Sequence, residues 1–375
     1  MFTNSYKPYT SGVVRSLETF KYHLEERGHT VYIFAPGYGT KDQDDRVFRY
    51  HALPAPTARG YYLPIPFSWH TKRRVRSLGL DVIHVHAPFL LGRLGLITGR
   101  RLGIPVVFTY HTRYDLYTHY APVLGPSLKA LVGGMTTRFS NRCQGVIAPT
   151  PSIRDILLKN GVTTPISVVP TGVDTEEFLT FDATWAKKAF ALEDDDAVLV
   201  TVGRLGQEKN LGFLLEVMTR LPQHVRLMIV GDGPLRSSLK ADAERLGLKE
   251  RVIFTGQLGR DKLASALWAS DLFVFSSTTD TQGVVLLEAR LANLPIIALD
   301  APGARDLITH GEDGFLIEDV SPDTFAQHIK AILTDPVLKE KLVTRARQEI
   351  QKYSAQACAE RLLRVYQSIR QTSTG

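Results

Sequence analysis

The chain has 375 residues, of which 44% are hydrophobic and 22% charged, as in an ordinary globular protein with room for two or three domains. It has no apolar run of about 18 residues and no secretory leader pattern, and its two cysteines lie far apart. We therefore expect no membrane span, no disulfide framework and no cysteine metal site, and these features fit a reducing cytoplasm. The net charge of +7 is uneven: residues 1–170 carry 21 Lys and Arg against 9 Asp and Glu, and the remainder carries 24 against 29. A basic first half predicts an anionic partner such as nucleic acid, anionic lipid or phosphate, with solubility alone as the alternative.

Strands alternate with helices through the first 170 residues, which predicts a parallel α/β sheet. A helix begins at Gly12 with Ser11 as its cap, and Gly28 is expected to end it. The residues before this helix, 1–3, are short for an interior strand, so we expect the natural chain to begin upstream. Further strands are predicted at 30–35, 81–86, 105–110, 145–148 and 166–169, with helices at 90–102 and 152–159.

The pattern breaks at residues 170–182, and we place a domain boundary after residue 172. The same alternation of strands and helices then begins again, which predicts a second α/β domain. Its strands are predicted at 197–202, 225–230, 252–255, 271–275, 295–299 and 314–317. Three helices are expected to close the chain, at 321–333, 336–352 and 355–370.

One loop of the second domain carries two acids and a glycine between a strand and a helix. Asp280 lies in the loop, Gly283 follows it, and Glu288 lies in the helix. We expect the amides of Gln282, Gly283 and Val284 near the first turn of that helix. Unpaired amides and the positive end of the helix dipole would suit an anion or a set of hydroxyls there. An ordinary strand–loop–helix with two surface acids is the alternative interpretation.

Two cations follow the first strand of the second domain. Arg204 and Lys209 are expected at the carboxyl end of that strand, where doubly wound sheets bind ligands. A guanidinium can clamp two oxygens and an ammonium adds a point charge, so the pair suits a diphosphate. The alternative is a surface ion pair with Glu208.

Histidines lie near two strand ends in the first domain. His111 follows the strand at 105–110, where an imidazole can hydrogen-bond a hydroxyl, although a lone histidine is more often structural. His86 ends the strand at 81–86 and is a candidate contact for a second substrate. We expect His84 and His86 to face opposite sides of this strand, an arrangement that does not favour a shared metal.

Aromatic residues at 61–69, ending with Trp69, precede a cluster of cations. The cations are Lys72, Arg73, Arg74 and Arg76. Aromatic rings that lie at the headgroup level, next to cations that attract anionic lipid, predict a contact with a membrane surface. Nucleic acid would use similar residues, but no nucleic-acid-binding signature accompanies them. A core loop followed by a solvated helix is the alternative.

Two motifs resemble those of a known family. Residues 280–288, DTQGVVLLE, resemble the Glu-x7-Glu signature of retaining glycosyltransferases of family 4, with Asp280 in place of the first glutamate. Residues 2–13, FTNSYKPYTSGV, are most similar to bacterial enzymes that transfer glucose to diacylglycerol. The resemblance covers nearly the whole chain. It implies the α/β fold called GT-B, with two Rossmann-like domains facing each other across a cleft.

The resemblance also implies a role for each domain and for the main site residues. Residues 1–172 would bind the acceptor, residues 173–354 would bind the nucleotide sugar, and the closing helix at 355–375 would pack back on the first domain. Arg204 and Lys209 would neutralise the departing diphosphate. Glu288 would bind the ribose hydroxyls, Asp280 and the amides after it the sugar hydroxyls, and His111 the sugar or the acceptor.

Further residues are assigned by the same resemblance. The amide of Gly12 would approach the donor phosphate, and the loop with Gln257 and Leu258 would lie beside the base. The expected enzyme is a retaining hexosyltransferase that needs no metal or cofactor, and no residue is assigned as a covalent nucleophile. We expect UDP-glucose as the donor, a lipid such as diacylglycerol as the acceptor, and a peripheral position on the cytoplasmic face of the cell membrane.

Two other functions remain open. A mannosyltransferase would use GDP-mannose on a phosphatidylinositol-like or other acceptor. A non-catalytic protein of the same fold would only bind a sugar nucleotide or a lipid, but the diphosphate pair and both acids are intact, which argues against this reading.

Overall fold

The computed structural model describes residues 1–39, 44–55, 61–67, 69–116, 125–178 and 181–374, with the main chain alone at 69–72, 115, 125–129, 177 and 372–374. The chain forms two compact units. Unit 1 comprises Met1–Gly172 and Ala355–Gly375, and unit 2 comprises Val173–Ser354.

Unit 1 alternates helices with short strands. In chain order its elements are α1 (Gly12–Glu25), β1 (Ile33–Pro36), β2 (Val47–Tyr50), β3 (Ala52–Pro54), β4 (Tyr62–Pro64), α2 (Trp69–Ser77), β5 (Ile83–Val85), α3 (Leu91–Leu102), β6 (Val106–Thr109), α4 (Gly125–Ser140), β7 (Gly145–Ala148), α5 (Pro151–Lys159) and β8 (Ile166–Val168).

Unit 2 has longer strands in the same alternation. Its elements are α6 (Ala183–Ala189), β9 (Ala197–Val202), α7 (Leu211–Met218), β10 (Val225–Val230), α8 (Arg236–Arg245), β11 (Val252–Gly256), α9 (Arg260–Trp268), β12 (Leu272–Phe275), α10 (Val284–Leu291), β13 (Ile296–Leu299), α11 (Pro302–Arg305), β14 (Phe315–Ile317), α12 (Pro322–Thr334) and α13 (Pro336–Glu349). The chain then returns to unit 1 with α14 (Ala355–Thr374).

The sheet of unit 1 is parallel and is completed at its centre by one residue. β1 pairs with β2, and β5, β6, β7 and β8 pair in sequence. Phe2 joins the two groups, because it forms parallel bridges with Phe34 on one side and Val85 on the other. The strand order therefore reverses between Phe2 and β5. In α/β sheets such a switch point is where ligands bind, beyond the carboxyl ends of the strands.

Helices cover both faces of this sheet. On one face α14 packs beside α1, so that Leu362 and Cys358 share a core with Leu17 and Phe20. On the other face α3 and α5 supply buried apolar side chains such as Leu96. The last helix of the chain is thus a structural part of unit 1.

An antiparallel hairpin of β3 and β4 also belongs to unit 1, and the sequence patterns did not predict it. Leu53 lies opposite Leu63 in the register of the hairpin. Leu53 and Phe67 are each 62% exposed, and Leu63 and Ile65 are exposed as well. The described part of the aromatic segment therefore presents apolar side chains to solvent and is not a core loop.

Unit 2 is a doubly wound parallel sheet with the strand order β11-β10-β9-β12-β13-β14. All six strands lie within one residue of the predicted bounds, because each is a largely apolar run, and the four central strands are mostly buried. The order reverses between β9 and β12, so the loops after these two strands flank the switch point.

A buried ion pair fixes α10, the helix that carries Glu288. The guanidinium of Arg290 lies 2.8 Å from a carboxylate oxygen of Asp313, and both side chains are almost fully buried. The other carboxylate oxygen accepts from the main-chain amide of Thr309 at 2.7 Å. Breaking such a pair leaves an unpaired buried charge, which typically costs about 3–5 kcal/mol, so α10 is firmly held in place.

Candidate active site

The loops that follow β9 and β12 meet at the switch point of unit 2. The ammonium Nζ of Lys209 lies 2.9 Å from Oδ1 and 2.8 Å from Oδ2 of Asp280. The hydroxyl of Ser276 donates to the carbonyl of Lys209 at 2.8 Å, and that of Ser277 donates to the carbonyl of Glu208 at 3.1 Å. Adjacent strands thus bring together a cation and an acid that are 71 residues apart in sequence.

A small pocket at this point is lined by both predicted diphosphate cations, Arg204 and Lys209. The Lys209 side chain crosses Gly203, where an added Cβ would lie 3.3 Å from its Cε, and its Nζ lies 5.9 Å from the ring centroid of Phe275. Lys209 pairs with Asp280 and Glu208 is buried, so the alternative of a surface ion pair with Glu208 does not hold for Lys209.

The loop after β12 differs from its prediction in one respect. We expected unpaired amides at Gln282, Gly283 and Val284, but the amide of Gly283 donates to the carbonyl of Gly303 at 2.9 Å. The amide of Val284 donates to the carbonyl of Gln282 at 3.0 Å. The expectation is therefore wrong for Gly283 and Val284. The physical reason is that α11 packs closely on this loop: a Cβ at Gly303 would lie 2.7 Å from that of Asp280.

Glu288 is buried on α10 and pairs with a cation that the sequence analysis missed. The guanidinium Nη1 of Arg260 donates to Oε1 of Glu288 at 3.0 Å, and the Glu288 side chain is 2% exposed. The Arg260 guanidinium also lies 5.0 Å from the ring centroid of Phe178. Its position in the sequence could have identified Arg260 as a site residue. It begins α9 directly after the β11 loop that carries Gln257 and Leu258. Each acid of the Asp280–Glu288 motif thus has its own cation.

Three histidines lie side by side in the interior of unit 1. The rings of His84 and His86 have centroids 4.0 Å apart, and those of His86 and His111 lie 5.1 Å apart and nearly parallel. We call these residues the histidine column. The expectation that His84 and His86 face opposite sides is wrong, because residues two apart on a strand share a face.

Hydrogen bonds anchor the histidine column at His84 and link its other two members. Nδ1 of His84 lies 2.7 Å from the hydroxyl of Tyr366 on α14, and Nε2 lies 2.6 Å from that of Thr109. Nδ1 of His86 lies 2.8 Å from Nε2 of His111. His86 is 1% exposed, so it lies behind His111 and does not itself offer the surface for a second substrate that the sequence analysis assigned to it.

Burial keeps the histidine column uncharged. It lowers the pKa of His84 and His86 well below the usual value of a histidine and lowers the pKa of His111 to about 4. The amino terminus of Met1 and the neighbouring histidines lower the pKa of His84 and His86 further, because a second positive charge nearby would repel a charged imidazole. All three imidazoles are therefore neutral at pH 7, and each acts as one donor and one acceptor.

Most of the remaining predicted residues whose side chains the structure describes lie on the surface of their units. Gly12 is the exposed first residue of α1, and the hydroxyl of its cap Ser11 accepts from an amide of the first turn at 3.3 Å. Gln257 is exposed and Leu258 half-buried after β11. Arg73, Arg74 and Arg76 are exposed on α2, whereas the side chains of Trp69 and Lys72 lie outside the described residues.

The residues that the structure describes contain neither a metal-binding cluster nor a membrane-spanning helix. Within those ranges no group of three His, Cys, Asp or Glu side chains is arranged to hold a metal ion. None of the helices described is long and apolar enough to cross a bilayer.

Comparison with known proteins identifies the family. The profile of "Glycosyltransferase Family 4" matches residues 10–177, and that of "Glycosyl transferases group 1" matches residues 183–349. A Streptococcus pneumoniae protein named alpha-monoglucosyldiacylglycerol synthase is 31% identical over 375 residues, which span 93% of this chain and 81% of that protein. The chain belongs to glycosyltransferase family 4. It is a hexosyltransferase, and unit 1 matches the first profile whereas unit 2 matches the second.

Two further family comparisons bear on fold and substrate. The crystal structure of Anabaena HepE in complex with UDP-glucose superposes with a TM-score of 0.79 at 18% identity, over 98% of this chain and 99% of that one. This likeness shows that the family 4 chain has the GT-B fold. A Mycobacterium tuberculosis protein named GDP-mannose-dependent alpha-mannosyltransferase is 29% identical over 381 residues, 98% of this chain and 95% of that protein.

The neutral histidine column predicts acid sensitivity. A histidine with a lowered folded-state pKa costs no stability above its unfolded pKa of about 6.5, and it destabilises the fold as the pH falls toward the folded value. His111, whose pKa is lowered to about 4, should by itself cost about 2 kcal/mol at pH 5. We expect the melting temperature of the wild type to fall between pH 7 and pH 5, and His111→Gln to reduce that fall.

The matched control is His29→Gln, which removes an exposed histidine and should leave the acid sensitivity unchanged. Calorimetry over this pH range measures both effects. An equal loss of stability in the wild type and in His111→Gln would contradict a neutral, buried His111.

Proposed function

We propose that this enzyme transfers glucose from UDP-glucose to diacylglycerol, with retention of the anomeric configuration and without a metal ion. The observation that supports donor binding most directly is the meeting of Lys209 with Asp280 at the unit 2 switch point, beside Arg204. The choice of glucose and diacylglycerol rests on the near full-length similarity to the S. pneumoniae synthase. The Anabaena structure that contains UDP-glucose supports UDP as the nucleotide.

The donor would bind at the switch point with its diphosphate against Arg204 and Lys209. A diphosphate carries more negative charge than one carboxylate, so it competes with Asp280 for the Lys209 ammonium. Glu288, oriented by Arg260, would accept hydrogen bonds from the ribose hydroxyls, and Asp280 would accept from hydroxyls of the sugar. Gln257 and Leu258 would lie beside the base, and the role of Gly12 near the phosphate stays a prediction.

In the reaction, the bond from the anomeric carbon to the phosphate oxygen breaks and a bond to the acceptor hydroxyl oxygen forms on the same face of the sugar. The acceptor proton passes to the departing phosphate. Arg204 and Lys209 stabilise the charge that develops on the diphosphate, which is the role that a metal ion has in other transferases. His111 would hydrogen-bond the sugar or the acceptor and help to position them.

The acceptor is proposed to be a lipid because unit 1 combines exposed apolar and basic surfaces. Leu53, Leu63, Ile65 and Phe67 are exposed on and after the β3–β4 hairpin. Exposed arginines follow on α2, and residues 1–170 carry the excess of positive charge. Such a surface suits an anionic membrane, with the enzyme peripheral on its cytoplasmic face.

The alternative with specific support is a mannosyltransferase that uses GDP-mannose, because the M. tuberculosis relative has nearly the same length and similarity. To separate the two functions, the enzyme is incubated with each nucleotide sugar and a lipid extract in the presence of EDTA. The product is then identified by mass spectrometry. We expect monoglucosyldiacylglycerol from UDP-glucose. A product formed only from GDP-mannose, or only after a divalent ion is added, would contradict the proposal.

Removing either diphosphate cation should abolish most of the transfer. We expect Arg204→Ala and Lys209→Ala each to lower the rate by at least ~100-fold while the fold is kept, because the loss of one preorganised charge at the leaving group costs ~3 kcal/mol. Lys262→Ala is the matched control, since it removes a cation of unit 2 that lies beside Trp185. Normal turnover by a folded Arg204 or Lys209 variant would contradict these roles.

Vesicle binding should depend on the arginines of α2. We expect the protein to sediment with anionic vesicles and to bind less well as salt rises, since exposed charges are screened beyond ~10 Å at 0.1 M. Each cation contributes about 1 kcal/mol, so changing Arg73, Arg74 and Arg76 to serine should weaken binding by roughly 100-fold.

The control changes Lys341, Arg345 and Arg347, three exposed cations of α13, to serine. This variant has the same net charge but should bind anionic vesicles nearly as well as the wild type. Equal binding by both triple variants, or equal binding to neutral and anionic vesicles, would contradict the proposal that the arginines of α2 bind anionic membranes.

A further inference from the structure

His86 has an unusual position for a polar side chain. Its Nδ1 meets His111, yet its Nε2 is buried with no hydrogen-bond partner among the described residues. Its main-chain amide donates to the carbonyl of Phe2 at 2.9 Å, in the centre of the sheet. A buried polar atom without a partner typically costs about 1–3 kcal/mol, so this arrangement needs an explanation.

The segment that follows His86 is held rigidly. The side-chain amide of Asn4 donates to the carbonyl of Phe89 at 3.2 Å and accepts from the amide of Leu91 at 3.1 Å. Gly92 packs so closely on the carbonyl of Ala87 that an added Cβ would lie 1.6 Å from its oxygen. The imidazole of His86 also lies between those of His84 and His111. His86 therefore has little freedom to turn away from His111.

The hydrogen bond between the two rings allows two arrangements of the protons. In the first, Nδ1–H of His86 donates to Nε2 of His111, and the unpartnered Nε2 of His86 carries no hydrogen. In the second, Nε2–H of His111 donates to Nδ1 of His86, and neutral His86 must then carry its hydrogen on the buried Nε2, where it finds no acceptor. Orphaned N–H donors are rarer in protein interiors than under-satisfied acceptors, so the first arrangement is favoured.

We propose that His86 is a positioning residue that holds His111 in the tautomer with its proton on Nδ1. The nitrogen that accepts a hydrogen bond fixes which nitrogen of a histidine carries the proton. In this tautomer the nitrogen of His111 remote from His86 is a hydrogen-bond donor. His111 then donates to an oxygen of the bound sugar or acceptor and is not a base.

The kinetic consequence rests on the proposed function, whereas the tautomer does not. Long-range proton–nitrogen spectra of histidine-labelled protein read the tautomer directly. We expect His111 of the wild type to carry its proton on Nδ1. We expect His86→Phe, which keeps an aromatic ring at this position but removes its nitrogens, to shift His111 towards the Nε2–H form. His86→Asn, which can keep an amide donor near the position of Nδ1, should preserve the wild-type tautomer.

Activity gives the second readout, with UDP-glucose and diacylglycerol as substrates. We expect His86→Phe to lower kcat by ~10-fold to ~100-fold with little change in the KM of the donor, the scale seen when the partner that orients a functional histidine is lost. His86→Asn should recover most of this loss. His29→Gln, which removes an exposed histidine outside the histidine column, is the control and should keep wild-type kcat.

Several results would overturn the proposal. One is a wild-type His111 that carries its proton on Nε2. This result would contradict the proposed tautomer even if His86→Phe does not fold. Another is a folded His86→Phe with an unchanged tautomer, and a third is a kcat of folded His86→Asn as low as that of His86→Phe. If the wild type transfers no glucose to diacylglycerol, the proposed function fails, but the tautomer measurement still tests the role of His86.

Discussion

The ion pair between Lys209 and Asp280 fixes the geometry of the candidate donor site in unit 2. It joins the loops after β9 and β12, and the main chain at Gly203 and Gly303 approaches it so closely that larger residues would disturb it. The two side chains are only 19% and 16% exposed, so the pair is held more firmly than a surface pair, which is worth about 0–1 kcal/mol. An ammonium already in place needs little reorganisation when charge develops on a leaving phosphate.

Both units contain a parallel sheet whose strand order reverses, and each places polar residues at that reversal. In unit 2 the switch point carries two acid–cation pairs, Lys209 with Asp280 and Arg260 with Glu288. In unit 1 it carries the neutral histidine column, which Tyr366 of the last helix anchors from behind. Charged pairs suit a charged diphosphate, whereas neutral imidazoles suit hydroxyl groups. The chemical contrast between the sites therefore matches the division into donor and acceptor units that we propose.

The sequence predicts the strands of unit 2 well because long apolar runs buried on both faces are unambiguous, as at β9 and β10. It fails at the β3–β4 hairpin, whose strands have three residues each and no clear alternation. At the site, motif spacing predicts Lys209, Asp280 and Glu288, but the pairing of Lys209 with Asp280 depends on strand order, which no local pattern contains. Arg260 and the contact of His86 with His111 were missed for the same reason.

The central claim is that the switch point of unit 2 binds a nucleoside diphosphate sugar through groups of this chain alone. Calorimetric titration of UDP-glucose in EDTA tests it most directly, with the wild type beside Glu288→Gln. We predict binding by the wild type and a loss of ~1–3 kcal/mol in the variant, since an amide replaces one good acceptor of the ribose hydroxyls with a mismatched donor. Unchanged affinity in a folded Glu288→Gln, or no binding by the wild type, would contradict the claim.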